Sequence, residues 1–309
     1  MMLDIFGLAA IITKFSLYLG VLTATGTVMA TRIFQLDRTN GLAAAFACLG
    51  LIAAIFAFLL RGANLTGDAS GMIDPEMLGL LWATPVGTAL IARVLGLCLL
   101  ILGLFLGRVG IWISMLGGVI AVGSFGQVGH ISDRAALLLD LTLLIHLLAI
   151  ALWIGILTPL RRLASSGKTY VAAATVGHQF GVIASFTVPG LIVAGIYMSY
   201  HLIGSLAALI ETEYGRALIV KTLLLGLLLV LAAANKLRFV PALRSGDPSA
   251  ARHLSNSIQV EWVIISALLG TTAVLTTNLT LPLRYIICDD TPVIDLRRFK
   301  RPVFGMQLS

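Results

Sequence analysis

Three histidines and a methionine are the residues of this sequence best suited to binding a metal ion. His130, His146 and His201 lie within or beside long apolar stretches, and Met198 precedes His201 by three residues, which places both side chains on one helix face. Imidazole nitrogen and thioether sulfur suit copper, with Cu(I) favoured over Cu(II), whereas Mg²⁺ or Ca²⁺ would require oxygen ligands. The four residues together therefore predict a copper site, although each one alone is more often a packing or hydrogen-bonded residue.

Several other ionisable residues fall inside apolar stretches, where they are costly and usually face a bundle interior or a water-filled cavity. We interpret Arg93, Asp140 and Lys221 either as polar groups that support the site or as a structural arrangement in which Asp140 neutralises one of the two cations. Trp153 follows His146 by seven residues and shares its helix face, so it joins the supporting set. The full set of ionisable residues inside the apolar stretches, with His146 included, is Lys14, Arg93, Asp140, His146 and Lys221.

The composition excludes a water-soluble globular domain. Hydrophobic residues make up 59% of the 309 residues, charged residues only 11%, and the mean hydropathy is +1.01. The net charge of +7 comes from short basic clusters between apolar runs, a distribution that does not indicate nucleic-acid binding. The three cysteines have no CxxC spacing, which excludes a disulfide framework. Membrane lipid is therefore the expected surroundings of the chain.

The apolar stretches predict an all-α membrane protein with eight transmembrane helices. A helix needs about 20 apolar residues to cross a bilayer core, and eight stretches meet this length with charged or turn-rich breaks between them. We place the spans at residues 9–31, 41–60, 85–107, 110–128, 136–159, 179–203, 214–235 and 258–281.

The distribution of basic residues predicts the orientation of these spans in a bacterial inner membrane. Odd-numbered loops hold ten Lys and Arg residues and even-numbered loops three, and cytoplasmic loops are the ones enriched in such residues. Both termini are therefore expected on the periplasmic side. The basic residues of the tail after residue 283 favour a cytoplasmic C-terminus instead, which would require a different number of spans.

A repeat at an offset of 128 residues predicts two halves with the same orientation. The segments Thr84–Arg93 and Thr212–Lys221 match at five positions and place Lys221 where Arg93 stands. Four spans return a chain to its starting side, so the implied architecture is two four-helix halves, residues 1–128 and 129–283, followed by a tail at 284–309.

Four stretches of the second half resemble the copper resistance D family in order and spacing. They are Gly129 and His130, the string HLLAIALWIGILTPL from His146, the string QFGVIASFTVPGLIVAG from Gln179, and TEYGRALIVKT followed by NKLRFVPAL. The resemblance implies an inner-membrane protein that passes copper inward and works with a small periplasmic copper-binding protein of the copper resistance C type. It also marks His130 and His146 as candidate ligands, whereas Met198 and His201 rest on spacing alone.

The leading prediction of function is a copper permease or membrane receptor that is not an enzyme. The sequence contains no P-loop and no aspartyl-phosphate motif of a pump. Two alternatives stay open. A haem-bearing membrane reductase would need histidines paired across spans. A pore for an organic anion would use Arg93 and Lys221 as its binding groups.

Overall fold

The computed structural model describes residues 5–127, 136–166, 169–203 and 206–278, and all regular structure in these ranges is helical. This confirms the predicted all-α class. The α-helices are α1 (Ile5–Phe34), α2 (Asn40–Thr66), α3 (Pro75–Trp82), α4 (Pro85–Gly103), α5 (Gly107–Gly123), α6 (Ala136–Ser165), α7 (Tyr170–Ile203), α8 (Leu206–Glu211), α9 (Glu213–Ala234), α10 (Val240–Arg244) and α11 (Pro248–Asn278).

Seven helices in the described ranges are long and apolar enough to cross a membrane, which makes this a multi-pass membrane protein. They are Ile5–Phe34, Asn40–Thr66, Pro85–Gly103, Leu137–Ser165, Tyr170–Leu202, Ser249–Thr277, and Glu213–Arg244, which combines α9, a π-helical turn and α10. The remaining predicted span, residues 110–128, corresponds to α5, which is apolar but has 17 residues. At 1.5 Å per residue it extends about 25 Å, less than the roughly 30 Å of a bilayer core. The predicted count of eight spans is therefore not confirmed.

The long helices extend beyond several of the predicted spans. α7 begins at Tyr170 instead of residue 179, and α11 begins at Pro248 instead of residue 258. Hydropathy identifies only the part of a helix that crosses hydrocarbon, whereas the helix itself continues to the next capping signal. At α11 this signal is Asp247, whose carboxylate accepts a hydrogen bond from the backbone N–H of Ser249 at 2.8 Å.

α1 is the central helix of the bundle. It packs against α2 and α5 on one side and against α6 and α11 on the other, while α6 also contacts α7 and α11, and α9 contacts α11. The two predicted halves therefore share an interface through α1. The repeated segments begin in the same way, because Thr84 and Thr212 each accept a backbone N–H bond as the N-cap of their helix. The wider repeat of four-helix halves stays a prediction.

The outward faces of the helices are apolar, as expected for contact with lipid tails. Exposed large hydrophobic side chains occur on each long helix and include Ile52, Leu95, Ile145, Val193 and Leu227. An apolar surface of this extent is incompatible with water but suits a bilayer.

α1 and α6 cross in direct backbone contact at Gly26 and Gly155. A Cβ atom on Gly26 would overlap the carbonyl group of Ala151, and one on Gly155 would overlap the backbone of Gly26. Small residues allow close helix approach in membranes, where packing replaces the hydrophobic effect as the main source of helix association. This crossing fixes the depth of α6 relative to α1, and so the depth of the polar residues that α6 carries.

We expect Gly26→Ala to destabilise the bundle by about 1–3 kcal/mol or more. Overpacking usually costs this amount, and backbone atoms of α6 cannot move aside as a flexible side chain can. Gly190→Ala on α7 is the matched control, since a Cβ there meets no atom within 4 Å. Thermal unfolding of the two purified variants in detergent measures the difference. Equal melting temperatures would show that the crossing tolerates a side chain.

Candidate functional site

The polar residues of the bundle are ordered between its two ends. At the Lys14 end, the Lys14 ammonium donates to the carbonyl oxygen of Thr276 at 2.6 Å, which joins the start of α1 to the end of α11. At the opposite end, called the Arg161 end, the guanidinium of Arg32 lies 5.2 Å from the ring centroid of Trp112. α6 and α7 run antiparallel between these ends, so positions along them give relative depth.

A cationic cluster occupies the Lys14 end, with Lys14 on α1, Arg61 on α2 and Arg93 on α4 beside the end of α5. Arg93 donates through Nε to the hydroxyl of Ser124 at 3.0 Å, and its guanidinium lies 5.1 Å from the ring centroid of Phe125. Arg61 and Arg93 both lie within electrostatic range of Lys14. Three positive charges repel a copper cation, so this part of the bundle does not suit a copper site.

Asp140 lies near the same end. Arg93 and Lys221 are both among the described residues, and Asp140 forms a salt bridge with neither. Its Oδ1 atom is buried without a hydrogen-bond partner. That oxygen would lie 3.2 Å from a Cβ atom built on Gly126, which places Asp140 beside the end of α5. The structure therefore contains no direct salt bridge through which Asp140 would neutralise Arg93 or Lys221.

His146 lies between α6, α7 and α9 with one ring nitrogen free. The imidazole lies beside the backbone of Leu191 on α7, and its Nδ1 atom is buried without a hydrogen-bond partner. Metal-binding histidines usually donate one ring N–H to a carbonyl or carboxylate, which fixes the tautomer and leaves the other nitrogen free to bind the metal. Of this arrangement, His146 shows a buried Nδ1 atom that no protein group occupies.

Lys221 on α9 lies within electrostatic range of His146. Arg93 and Lys221 thus belong to different clusters, Arg93 with Lys14 and Arg61, and Lys221 with His146. An anion site that uses Arg93 and Lys221 together has no counterpart in these contacts. For a copper ion at Nδ1 of His146, the Lys221 ammonium is a source of repulsion.

Met198 and His201 lie near the last turns of α7, at the Lys14 end. His201 contacts the rings of Tyr197 and Tyr200 at centroid distances of 4.5 and 5.7 Å. Leu191, the neighbour of His146, precedes His201 by ten residues, which is about 15 Å along a helix. His146 and His201 therefore lie at different depths and cannot coordinate one ion together.

His130 lies outside the described residues, so its position relative to the other candidates stays a prediction. Within the described residues, no group of three or more His, Cys, Asp or Glu side chains could hold a metal ion. Copper ligation by His130, His146, Met198 and His201 thus remains a proposal. The structure places the last three along one side of the bundle formed by α6 and α7.

A second polar cluster, about 10 Å beyond His146 toward the Arg161 end, joins three helices. Trp153, 6% exposed on α6, donates through Nε1 to Oε2 of Glu261 at 3.1 Å. The other carboxylate oxygen, Oε1, accepts a hydrogen bond from Nδ2 of Asn235. Glu261 is 2% exposed, which makes it a buried acid within a membrane helix.

Sequence reasoning missed Glu261 and Asn235. A span that starts at residue 258 places Glu261 in its first turn, where an acid is ordinary, but α11 starts at Pro248. The available signal was a carboxylate within the apolar run that follows Gln259. Asn235 begins the π-helical turn Asn235–Phe239, and such turns are frequent at functional sites.

The fold and these clusters define a multi-pass helical membrane protein whose interior carries a histidine with a free nitrogen and a buried carboxylate. The sequence matches the family "Copper resistance protein D" over residues 174–275 and "Copper resistance protein D-like, N-terminal domain" over residues 2–135. No curated protein and no solved structure matches it.

The two matched ranges together span about three quarters of the chain, and the protein belongs to the copper resistance protein D family. This confirms the resemblance found from the sequence motifs. Met198, His201, Lys221, Asn235 and Glu261 lie within the first of these two matches. His146 and Trp153 lie between the two matched ranges.

Proposed function

We propose that the protein passes copper across the bacterial inner membrane and accepts it on the periplasmic side, in the service of copper resistance or homeostasis. Membership of the copper resistance protein D family supports a copper-related role. The single observation that carries the proposal further is His146, whose Nδ1 atom is buried without a hydrogen-bond partner beside Leu191 of α7. A nitrogen in this state binds a soft or borderline metal cation well.

The Lys14 end is the proposed periplasmic side. The opposite end holds Arg32, Arg161 and Arg162 at the last turns of α1 and α6, together with Arg238 and Arg244 at the end of the long helix Glu213–Arg244. An excess of basic residues is typical of cytoplasmic loops and helix ends. Met198 and His201 then face the periplasm, as candidate first ligands.

A periplasmic donor of the copper resistance C type can deliver copper only to ligands that it can approach. His201 and Met198 lie near the outer helix ends and His146 about 15 Å deeper, so we propose that copper binds the outer residues first. His130 is the further outer candidate by the family resemblance. Copper then moves by ligand exchange to His146, since imidazole and thioether sites of similar affinity can replace one another stepwise.

The test is copper loading of reconstituted vesicles from a periplasmic copper-binding donor. We expect His201→Ala combined with Met198→Leu to slow loading about tenfold, because both proposed outer ligands are lost while the apolar volume of Met198 is retained. His178→Ala is the matched control, since His178 is an exposed histidine near the other end of α7. Unchanged loading by the double variant would remove Met198 and His201 from the uptake step.

A further inference from the structure

The carboxylate of Glu261 is buried among neutral hydrogen-bond donors. Its two oxygens accept bonds from the indole N–H of Trp153 and the amide of Asn235, and no described Lys or Arg forms an ion pair with it. A buried charge is costly unless it is paired, so the protonated form of such an acid is the inexpensive one. Ionisable residues in this position are frequent in proton relays of membrane transporters.

The other titratable groups on the helices around Glu261 lie at a distance along the chain. α1 carries none between Tyr18 and Arg32, and α9 carries none between Lys221 and the π-helical turn. In that turn, Lys236 donates to Ser185 on α7. The next groups toward the Arg161 end are Arg161 on α6 and His253 on α11. In the part of the chain that the structure describes, no cation forms a salt bridge that would fix Glu261 in its ionised form.

Both protonation states of Glu261 can be hydrogen bonded in place. The ionised carboxylate accepts from Trp153 and Asn235, as the structure has it. Oδ1 of Asn235 is buried without a partner, and rotation of the amide would bring it into position to accept from a protonated Glu261. The oxygen-only set of carboxylate and amide does not suit Cu(I), which prefers sulfur and nitrogen.

A cavity lies between α6 and α11 at the Arg161 end. It has a volume of about 630 Å³ and is lined by Thr158, Arg161, Arg162, Ser165, Gln259 and Trp262. Gln259 and Trp262 flank Glu261 on α11, and Thr158 follows Trp153 by five residues, which is about 7.5 Å along α6. The cavity therefore lies at nearly the same level of α6 and α11 as the carboxyl group, and it is the water-sized space to which we assign the proton below.

We propose that Glu261 is a proton-binding site that compensates the charge of copper inside the bundle. As one Cu(I) reaches His146, the O–H bond of Glu261 breaks, the oxygen keeps the electron pair, and the proton passes to water in the cavity. The carboxylate takes up a proton again when copper leaves. One positive charge arrives as another departs, so the net charge of the interior is constant. This inference rests on the proposed copper function.

The test compares the wild type with Glu261→Gln, because glutamine has the shape and hydrogen bonding of the protonated acid and so preserves the fold. Copper is added to each protein in detergent and weak buffer, and bound copper and released protons are measured separately. We expect the wild type to release about one more proton per bound copper than Glu261→Gln. Infrared difference spectra should show that copper removes a protonated-carboxyl band that the variant lacks. Asp140→Asn should keep both signals.

Equal proton release by wild type and Glu261→Gln, or a carboxyl band that copper does not alter, would overturn the proposal while leaving copper binding intact. If the wild type binds no copper, the proposed function itself fails. The infrared spectrum still decides the state of Glu261 in that case. A protonated-carboxyl band lost in Glu261→Gln supports the proton site, and no such band overturns it.

Discussion

His146→Ala is expected to stop copper passage almost completely, by about a hundredfold or more, while copper still loads onto the outer residues. The reason is that His146 supplies the deep nitrogen ligand, and Met198 and His201 lie too far along α7 to replace it. Reconstituted vesicles with bound and internal copper followed separately provide the measurement. The substitution should leave the bundle assembled, because a single half-buried side chain contributes little beside many apolar contacts.

His253→Ala is the matched control for this prediction. His253 is exposed at the Arg161 end and stacks on Phe239 with ring centroids 5.8 Å apart. The His253→Ala protein should transport copper as the wild type does. Normal internal copper in the His146→Ala protein, at normal protein level, would reduce His146 to a structural residue.

Lys221→Gln is expected to tighten copper binding at His146 by at least about tenfold. Unit charges in an environment of effective dielectric constant near 20 repel by more than 1.4 kcal/mol out to about 11 Å, and 1.4 kcal/mol corresponds to a factor of ten. Removal of the ammonium removes this repulsion. Titration of the purified protein with Cu(I) against a competing chelator measures the change.

Lys236→Gln serves as the control, since Lys236 is exposed on the same continuous helix and its ammonium is directed to Ser185. Its copper affinity should equal that of the wild type. Weaker copper binding in Lys221→Gln would mean that Lys221 supports the site by another route. Loss of organic-anion flux in that variant, with copper binding unchanged, would favour the anion-pore alternative.

The sequence was sufficient to locate the membrane helices because lipid contact requires long apolar stretches. Each of the eight predicted spans coincides with a helix, although α5 is short. Helix ends were less predictable, since α7 and α11 continue beyond their apolar parts to capping residues such as Asp247. Hydropathy contains no information about those extensions.

The candidate site was predictable only in part. His146 stood out because an imidazole inside an apolar run is rare, and the structure adds its free Nδ1 atom. The contact of Trp153 with Glu261 joins residues 108 positions apart, and the contact of Asn235 with Glu261 joins residues 26 positions apart. Such contacts depend on how α6 and the long helix Glu213–Arg244 pack against α11, which periodicity within one helix cannot reveal.

The central claim is that this protein binds copper through its membrane histidines. Metal analysis of protein purified in detergent, after exposure to copper or to zinc at equal concentration, tests it most directly. We predict bound copper in clear excess over zinc, and loss of most of that copper when His130, His146 and His201 are replaced together by alanine. Equal amounts of copper and zinc, or undiminished copper in the triple variant, would contradict the account.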